Sequence, residues 1–316
     1  TGQTLISYKP YRPQKPTLPE RQYYPGNPKD IESVEDLYLA GRFVEQFSRT
    51  GRTADEYYME ALQKSPDDYR VNIAMGIRRL SQWRYLEAEE FLQKAYDKLQ
   101  VQFIQPKEGE LFYYLALAQK GLGKYEEAYT NFYRATWYYE WFSPAYYQLA
   151  QMESYRGNYE KGLEQIRNAY STNNNEGAIT LLYSALLRKA GKKAEALTLI
   201  DNLLKKDPIN FSAIYEKELL QNKGNMDKWH KNMQDVDNNY IDIALNYVNA
   251  GLFDDAIHLL SSLSKPKNPM VRYYLAWLLE KTGKPDQAKE MLTAAGKMPY
   301  DYCFPFRETS QRILKY

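Results

Sequence analysis

The chain repeats itself. Segments beginning at Glu35, Tyr69, Gly109, Ser143, Gly177, Phe211, Asp237 and Pro269 align with start-to-start spacings of 34, 40, 34, 34, 34, 26 and 32 residues. The eighth position is small in six of them (Gly76, Ala116, Ala150, Ser184, Ala244, Ala276), and the twentieth in seven (Ala54, Ala88, Ala128, Gly162, Ala196, Ala256, Ala288). The fifteenth is glycine in five: Gly123, Gly157, Gly191, Gly251 and Gly283. Small residues at these two positions let a pair of antiparallel helices close on each other. The glycine between them supplies the left-handed residue that ends the first helix. Large apolar residues at positions 4, 7 and 24, such as Phe112, Leu115 and Phe132, fill the space around the small ones. One such hairpin cannot bury its apolar face alone, so the units must stack. The pattern predicts an all-α protein, a right-handed α-α superhelix of about eight helix hairpins.

The stretch GKYEEAYTNFYRA (123–135) is close to the consensus second helix of the tetratricopeptide repeat, and the chain resembles that family over roughly 35–300. Repeats are expected near 35–68, 69–108, 109–142, 143–176, 177–210, 211–236, 237–268 and 269–300. They form a solenoid over 31–300, with a capping or continuing segment at 301–316. Two units depart from the period. The second carries six surplus residues in KLQVQFIQPKEG. The sixth (211–236) is eight short, lacks both small residues, and is expected to pack poorly and bend the array. Because stability in such arrays is distributed, loss of the last unit is expected to leave the rest folded. Helical signals begin at SVEDLYLAG, where Ser33 and Asp36 form a capping box. Ahead of it, six of the fifteen prolines (Pro10, Pro13, Pro16, Pro19, Pro25, Pro28) predict an extended arm or linker over 1–30. Three stretches, EDLYLAGRFVEQF, FYRATWYYEWFSPAYYQLAQ and YDYCFPFRETSQRILKY, are also similar to the helical part of long bacterial proteins with an upstream β-rich domain of unknown function. That resemblance implies a fragment of a longer chain, with 1–30 as the exit from the missing domain.

Charge and motifs narrow the function. The 42 basic and 40 acidic residues are mixed along the chain, so there is no basic stripe for a nucleic acid. No run approaches a membrane span, no signal peptide is visible, and the single Cys303 excludes an intrachain disulfide framework. Localisation stays open between bacterial cytoplasm and periplasm. His230 and His258 lie far apart on different repeats and read as ordinary helix residues. There is no metal-ligand spacing, GxSxG or glycine-rich phosphate loop, and Glu89–Glu90 and Glu126–Glu127 fall on outward faces. The expectation is a protein that is not an enzyme and has no cofactor.

Thirty-one tyrosines need another explanation. The densest run, TWYYEWFSPAYY (136–147), is read as a structural pad. Trp137, Tyr138 and Tyr139 are expected on the last turn of one helix, with Trp141 and Phe142 in the turn after it and Tyr146 in the core. The alternative is an exposed shelf for sugar rings. Elsewhere, the family resemblance implies that the first helix of each hairpin lines a concave groove through positions 2, 5, 9 and 12 or 13. Those positions are Tyr113, Leu117 and Lys120; Tyr147, Gln151 and Tyr155; Leu181, Arg188 and Lys189; Tyr215 and Asn222; and Tyr273, Trp277 and Lys281. The lysine and asparagine with which some relatives grip a peptide terminus are replaced by Tyr113/Leu117 and Tyr147/Gln151. The leading expectation is a scaffold holding a protein or peptide segment in that groove. A carbohydrate or small-ligand module and a structural spacer are the alternatives.

Overall fold

A computed structural model describes residues 2–4, 6–12, 25–47, 51–102, 107–221, 227–234 and 236–315. Among them are seventeen α-helices, a 3-10 turn at Pro28–Asp30 and no strand. Pro13, Pro16, Pro19 and Asn222 lie outside the described residues. The helices fall into two compact units, one through Val71 and one from Asn72 onward.

The first unit holds α1 (Val34–Phe47) and α2 (Ala54–Lys64). Ser33 Oγ accepts the Asp36 amide at 2.9 Å, and Thr53 and Glu56 form a second capping box. Gly41 lets the Tyr58 ring lie against the α1 backbone, since a Cβ there would stand 2.3 Å from that ring. The Tyr57 hydroxyl donates to the Gly26 carbonyl at 2.9 Å, tying the end of the proline-rich arm to α2. Residues 2–4 and 6–12 have no regular structure, and Tyr8 and Tyr11 are exposed.

The second unit stacks the remaining hairpins: α3 (Tyr69–Ser81, from Asn72 on) with α4 (Tyr85–Gln102), α5 (Gly109–Gly121) with α6 (Tyr125–Ala135), and α7 (Tyr139–Tyr155) with α8 (Tyr159–Thr172). Next come α9 (Gly177–Lys189) with α10 (Lys193–Lys206), and α11 (Phe211–Gln221) with the short α12 (Asp227–Met233). The last pairs are α13 (Asp237–Asn249) with α14 (Phe253–Ser261) and α15 (Met270–Lys281) with α16 (Pro285–Ala295), followed by α17 (Glu308–Leu314). The small positions sit where helices touch. Ala116, Ala150, Ser184, Ala244 and Ala276 are fully buried, and a Cβ on Gly76 would stand 2.5 Å from Leu92. All five repeat glycines have φ between 70° and 78°. In the second repeat Trp83 occupies the same left-handed position, with φ 59°.

The surplus of the second repeat lengthens α4, which runs 18 residues against 11 for α6. One expectation is corrected. α6 stops at Ala135, so Trp137 and Tyr138 form the turn, while Tyr139, Trp141 and Phe142 belong to the first turn of α7. The Thr136 hydroxyl donates to the Tyr133 carbonyl at 2.7 Å, satisfying one of the acceptors that a helix end leaves open. The early restart brings Trp141 onto Tyr113, ring centroids 4.8 Å apart, and Tyr138 onto Phe112 at 5.9 Å. Those two rings form the pad, whereas Trp137 and Tyr139 are exposed.

The shortened sixth repeat is crossed by a buried ionic network. Arg188 on α9 bonds Glu216 on α11 at 2.8 and 3.2 Å and Asp255 on α14 at 3.2 and 3.1 Å. Lys189 reaches the same Asp255 at 3.0 Å. Tyr247 donates to Glu216, and Tyr215 to the Asp255 carbonyl. Burial pushes the Glu216 carboxyl up, against the pull of Arg188 and Tyr247; both carboxylates hold the guanidinium charged. Beyond this network, Gly251 at the α13–α14 turn lies directly against the Tyr155 backbone, and Tyr155 meets Phe253 edge-on at 5.6 Å.

Candidate functional site

Inside the second unit is a cavity of about 960 Å³. Successive first helices build one wall: Ile77 and Leu80 from α3, Tyr114, Leu117 and Lys120 from α5, and Tyr147, Gln148, Gln151 and Tyr155 from α7. They share it because residues three and four apart lie on one helix face. Tyr85 and Tyr125, at the starts of α4 and α6, form its edge. The Tyr85 ring can reach it because Gly121 offers no side chain, its Cβ position lying 2.4 Å from that ring. The rest of the lining comes from Val248 and Asn249 on α13, Trp277 on α15, and Glu308 and Arg312 on α17. α17 is seated by the Tyr274–Ser310 hydroxyl pair at 3.0 Å and by Arg307 on Asp242 at 2.6 Å.

The lining is aromatic and amide with a few charges. Arg156 pairs with Glu126 at 2.6 Å and Arg312 with Glu308 at 2.9 Å. Lys120 is different. Its ammonium donates to the side-chain carbonyls of Gln148 (2.8 Å) and Gln151 (3.3 Å), and it makes no ion pair among the described residues. Gln151 is oriented in turn by donating to the Tyr147 hydroxyl at 3.1 Å. Burial, with the nearby Arg312 guanidinium adding to it, pushes the Lys120 ammonium down to about 8. Burial also pushes the Tyr147 phenol up to about 12.

Leu117, Lys120, Tyr147, Gln151 and Tyr155 thus meet in one cavity, joined by Trp277. Tyr113 does not line it; its ring is in the wall, between Trp141 and Phe132. Leu181 faces a small separate space of about 20 Å³ behind Tyr147. Arg188 is held by its two carboxylates, and Tyr215 is fully buried. Lys281 lies over the Trp277 ring. His230 and His258 bond the tyrosine hydroxyls of Tyr240 and Tyr215.

Reasoning from positions 2, 5, 9 and 12 or 13 missed Tyr114 and Gln148, both at position 6, and the edge tyrosines. An aromatic recurs at position 17 (Tyr85, Tyr125, Tyr159, Phe253), a signal that could have marked that edge. Arg312 and Glu308 carry no such signal, because they reach the cavity only through the path of the chain after α16.

A family model described as tetratricopeptide repeat matches residues 270–297. Among solved structures, a tetratricopeptide repeat protein from Parabacteroides merdae aligns with 16% identity and a TM-score of 0.51, covering 89% of this chain and 97% of that one. The C-terminal part of a repeat-containing protein from Cytophaga hutchinsonii aligns with 11% identity and a TM-score of 0.50, covering 90% and 98%. At these identities the likeness is one of fold. Among the described residues no helix is long and apolar enough to cross a membrane.

Proposed function

We propose that this chain, a tetratricopeptide-repeat solenoid, is a non-catalytic scaffold that holds a segment of a partner protein in the cavity of its second unit. One observation carries the reading: three successive first helices, α3, α5 and α7, turn side chains into a single space of about 960 Å³. Side chains on packed helices are preorganised and lose little entropy on binding. Tyrosine gives wide contact with two torsions to freeze, and Gln148 and Gln151 offer hydrogen bonds to a peptide backbone. An extended peptide or a single helix is the kind of occupant such a trough accepts.

Site-specific photocrosslinking tests it. A benzoylphenylalanine replaces Tyr114, inside the cavity, or Trp137, exposed outside it. Each variant is illuminated in lysate of the source cells, and the crosslinked peptides are sequenced. Crosslinks to one protein segment from the Tyr114 position, absent from the Trp137 position, support the groove. Crosslinks from Trp137 alone move the binding surface to the outer face.

A further inference from the structure

The charge balance of the cavity points to the chemistry of its occupant. Arg156 and Arg312 are each matched by a carboxylate within 3 Å, and these two carboxylates are the only acidic side chains that line the cavity among the described residues. Lys120 is the cation left over. It is half-buried, and its described hydrogen-bond partners are two neutral amide oxygens. An ammonium desolvated without an anion is costly, and one held beside a second cation is costlier still. Burial depresses its basicity, as expected of a cation with no counter-charge. The amides leave the charge unneutralised, and the adjoining space can admit an anion.

Position says which anion. Lys120 is on α5, the middle of the three helices that form the wall. Ile77 and Leu80 on α3 line the cavity to one side of it, and Gln151 and Tyr155 on α7 to the other. A segment long enough to touch all three helices therefore passes Lys120 with chain continuing in both directions. An internal side chain suits that place, and a chain terminus does not.

We propose that Lys120 is the anchor of the cavity for an internal acidic side chain, aspartate or glutamate, of the bound segment. The inference rests on the groove reading above. In the complex the carboxylate accepts a charge-assisted hydrogen bond from the ammonium, with Gln148 and Gln151 holding the lysine in place.

The test uses the full chain and three libraries of twelve-residue peptides with randomised flanks. The first is capped at both ends with glutamate fixed at the centre. The second is identical with glutamine there, and the third has the central glutamine and a free C-terminal carboxylate. Binding is read by anisotropy for the wild type and for Lys120→Met, both first shown to be folded by circular dichroism. The expected result is a preference of about tenfold for the glutamate library, the scale of one charge-assisted hydrogen bond, that disappears in Lys120→Met while weaker binding of both capped libraries remains. Equal binding of the two capped libraries by the wild type overturns the anchor and leaves the groove standing. So does a glutamate preference that survives in Lys120→Met. Preference for the free-terminus library overturns the internal assignment. Binding of none of the libraries, with crosslinks absent from the Tyr114 position, overturns the groove reading and this one with it.

Discussion

Single residues separate what the fold requires from what the cavity uses. Gly251 is doubly constrained: its φ is +70°, and a Cβ would stand 2.6 Å from the Tyr155 Cα, a backbone atom that cannot swing aside. Gly283 shares the conformation, φ +74°, with open space around it. Gly283→Ala should therefore cost about 1–2 kcal/mol, the penalty of a left-handed alanine. Gly251→Ala should cost clearly more, and chemical denaturation of the two variants gives the comparison. Equal losses would mean that the Tyr155 contact is not maintained in solution. Lys120 supplies the opposite case, a residue that weakens the fold. Its ordinary value of 10.5 falls to about 8 in the folded chain, so between those values the unfolded chain binds more protons. Stability must then rise with pH across that window, and the deficit is present in full below it. At neutral pH it is of the order of 3 kcal/mol. Lys120→Met should raise the urea midpoint at pH 7, with the gain over wild type shrinking from pH 8 towards 10.5. A variant less stable than wild type at pH 7 would show that the ammonium is well accommodated.

At the scale of helices, the shortened unit around α11 and α12 decides the geometry after α10. Arg188→Met removes the partner of a fully buried Glu216 and should cost about 3–5 kcal/mol, as uncompensated buried charges do. The double variant Arg188→Met/Glu216→Leu should recover much of that loss. If it is as unstable as the single variant, packing rather than charge explains the position. α12 has seven residues against thirteen in α5, so amide exchange in Asp227–Met233 should outpace that in Gly109–Gly121. Equal protection would show that Trp229 and Met233 anchor the short helix as firmly as a full repeat does. The same region explains what could be read from the chain in advance. The small residues and the glycines were legible because each acts within one hairpin: Gly123 ends α5 whatever surrounds it. Lys120, Tyr147 and Gln151 were legible as residues of one shared surface because three consecutive units of regular length keep their register. Arg188 occupies the same face of its own helix, yet the hairpin that follows the shortened unit brings Asp255 onto it. That contact joins residues 67 apart in the chain, and no repeat period encodes it.

For the second unit as a whole, a simple array would unfold from its ends, each repeat answering only to its neighbours. Here Tyr155 leans on Gly251 and Phe253, and Arg188 on Asp255, so repeats that are not adjacent stabilise one another. Urea unfolding followed by the tryptophans, among them Trp141 and Trp277, should give a transition coincident with loss of helix by circular dichroism. Loss of tryptophan signal well before the helix would restore the picture of independent units. A different consequence concerns the order in which the chain is made. The α3, α5 and α7 wall leaves the ribosome long before Trp277 and Arg312, which complete the lining. During synthesis the wall forms first, and only the late segments complete the lining. A ligand present from the start meets the wall before its lining is complete, whereas one that arrives afterwards meets the finished cavity. Refolding from urea with the glutamate-centred peptides present should therefore load the cavity faster than adding them to the finished protein; equal rates would mean that the late segments do not hinder entry.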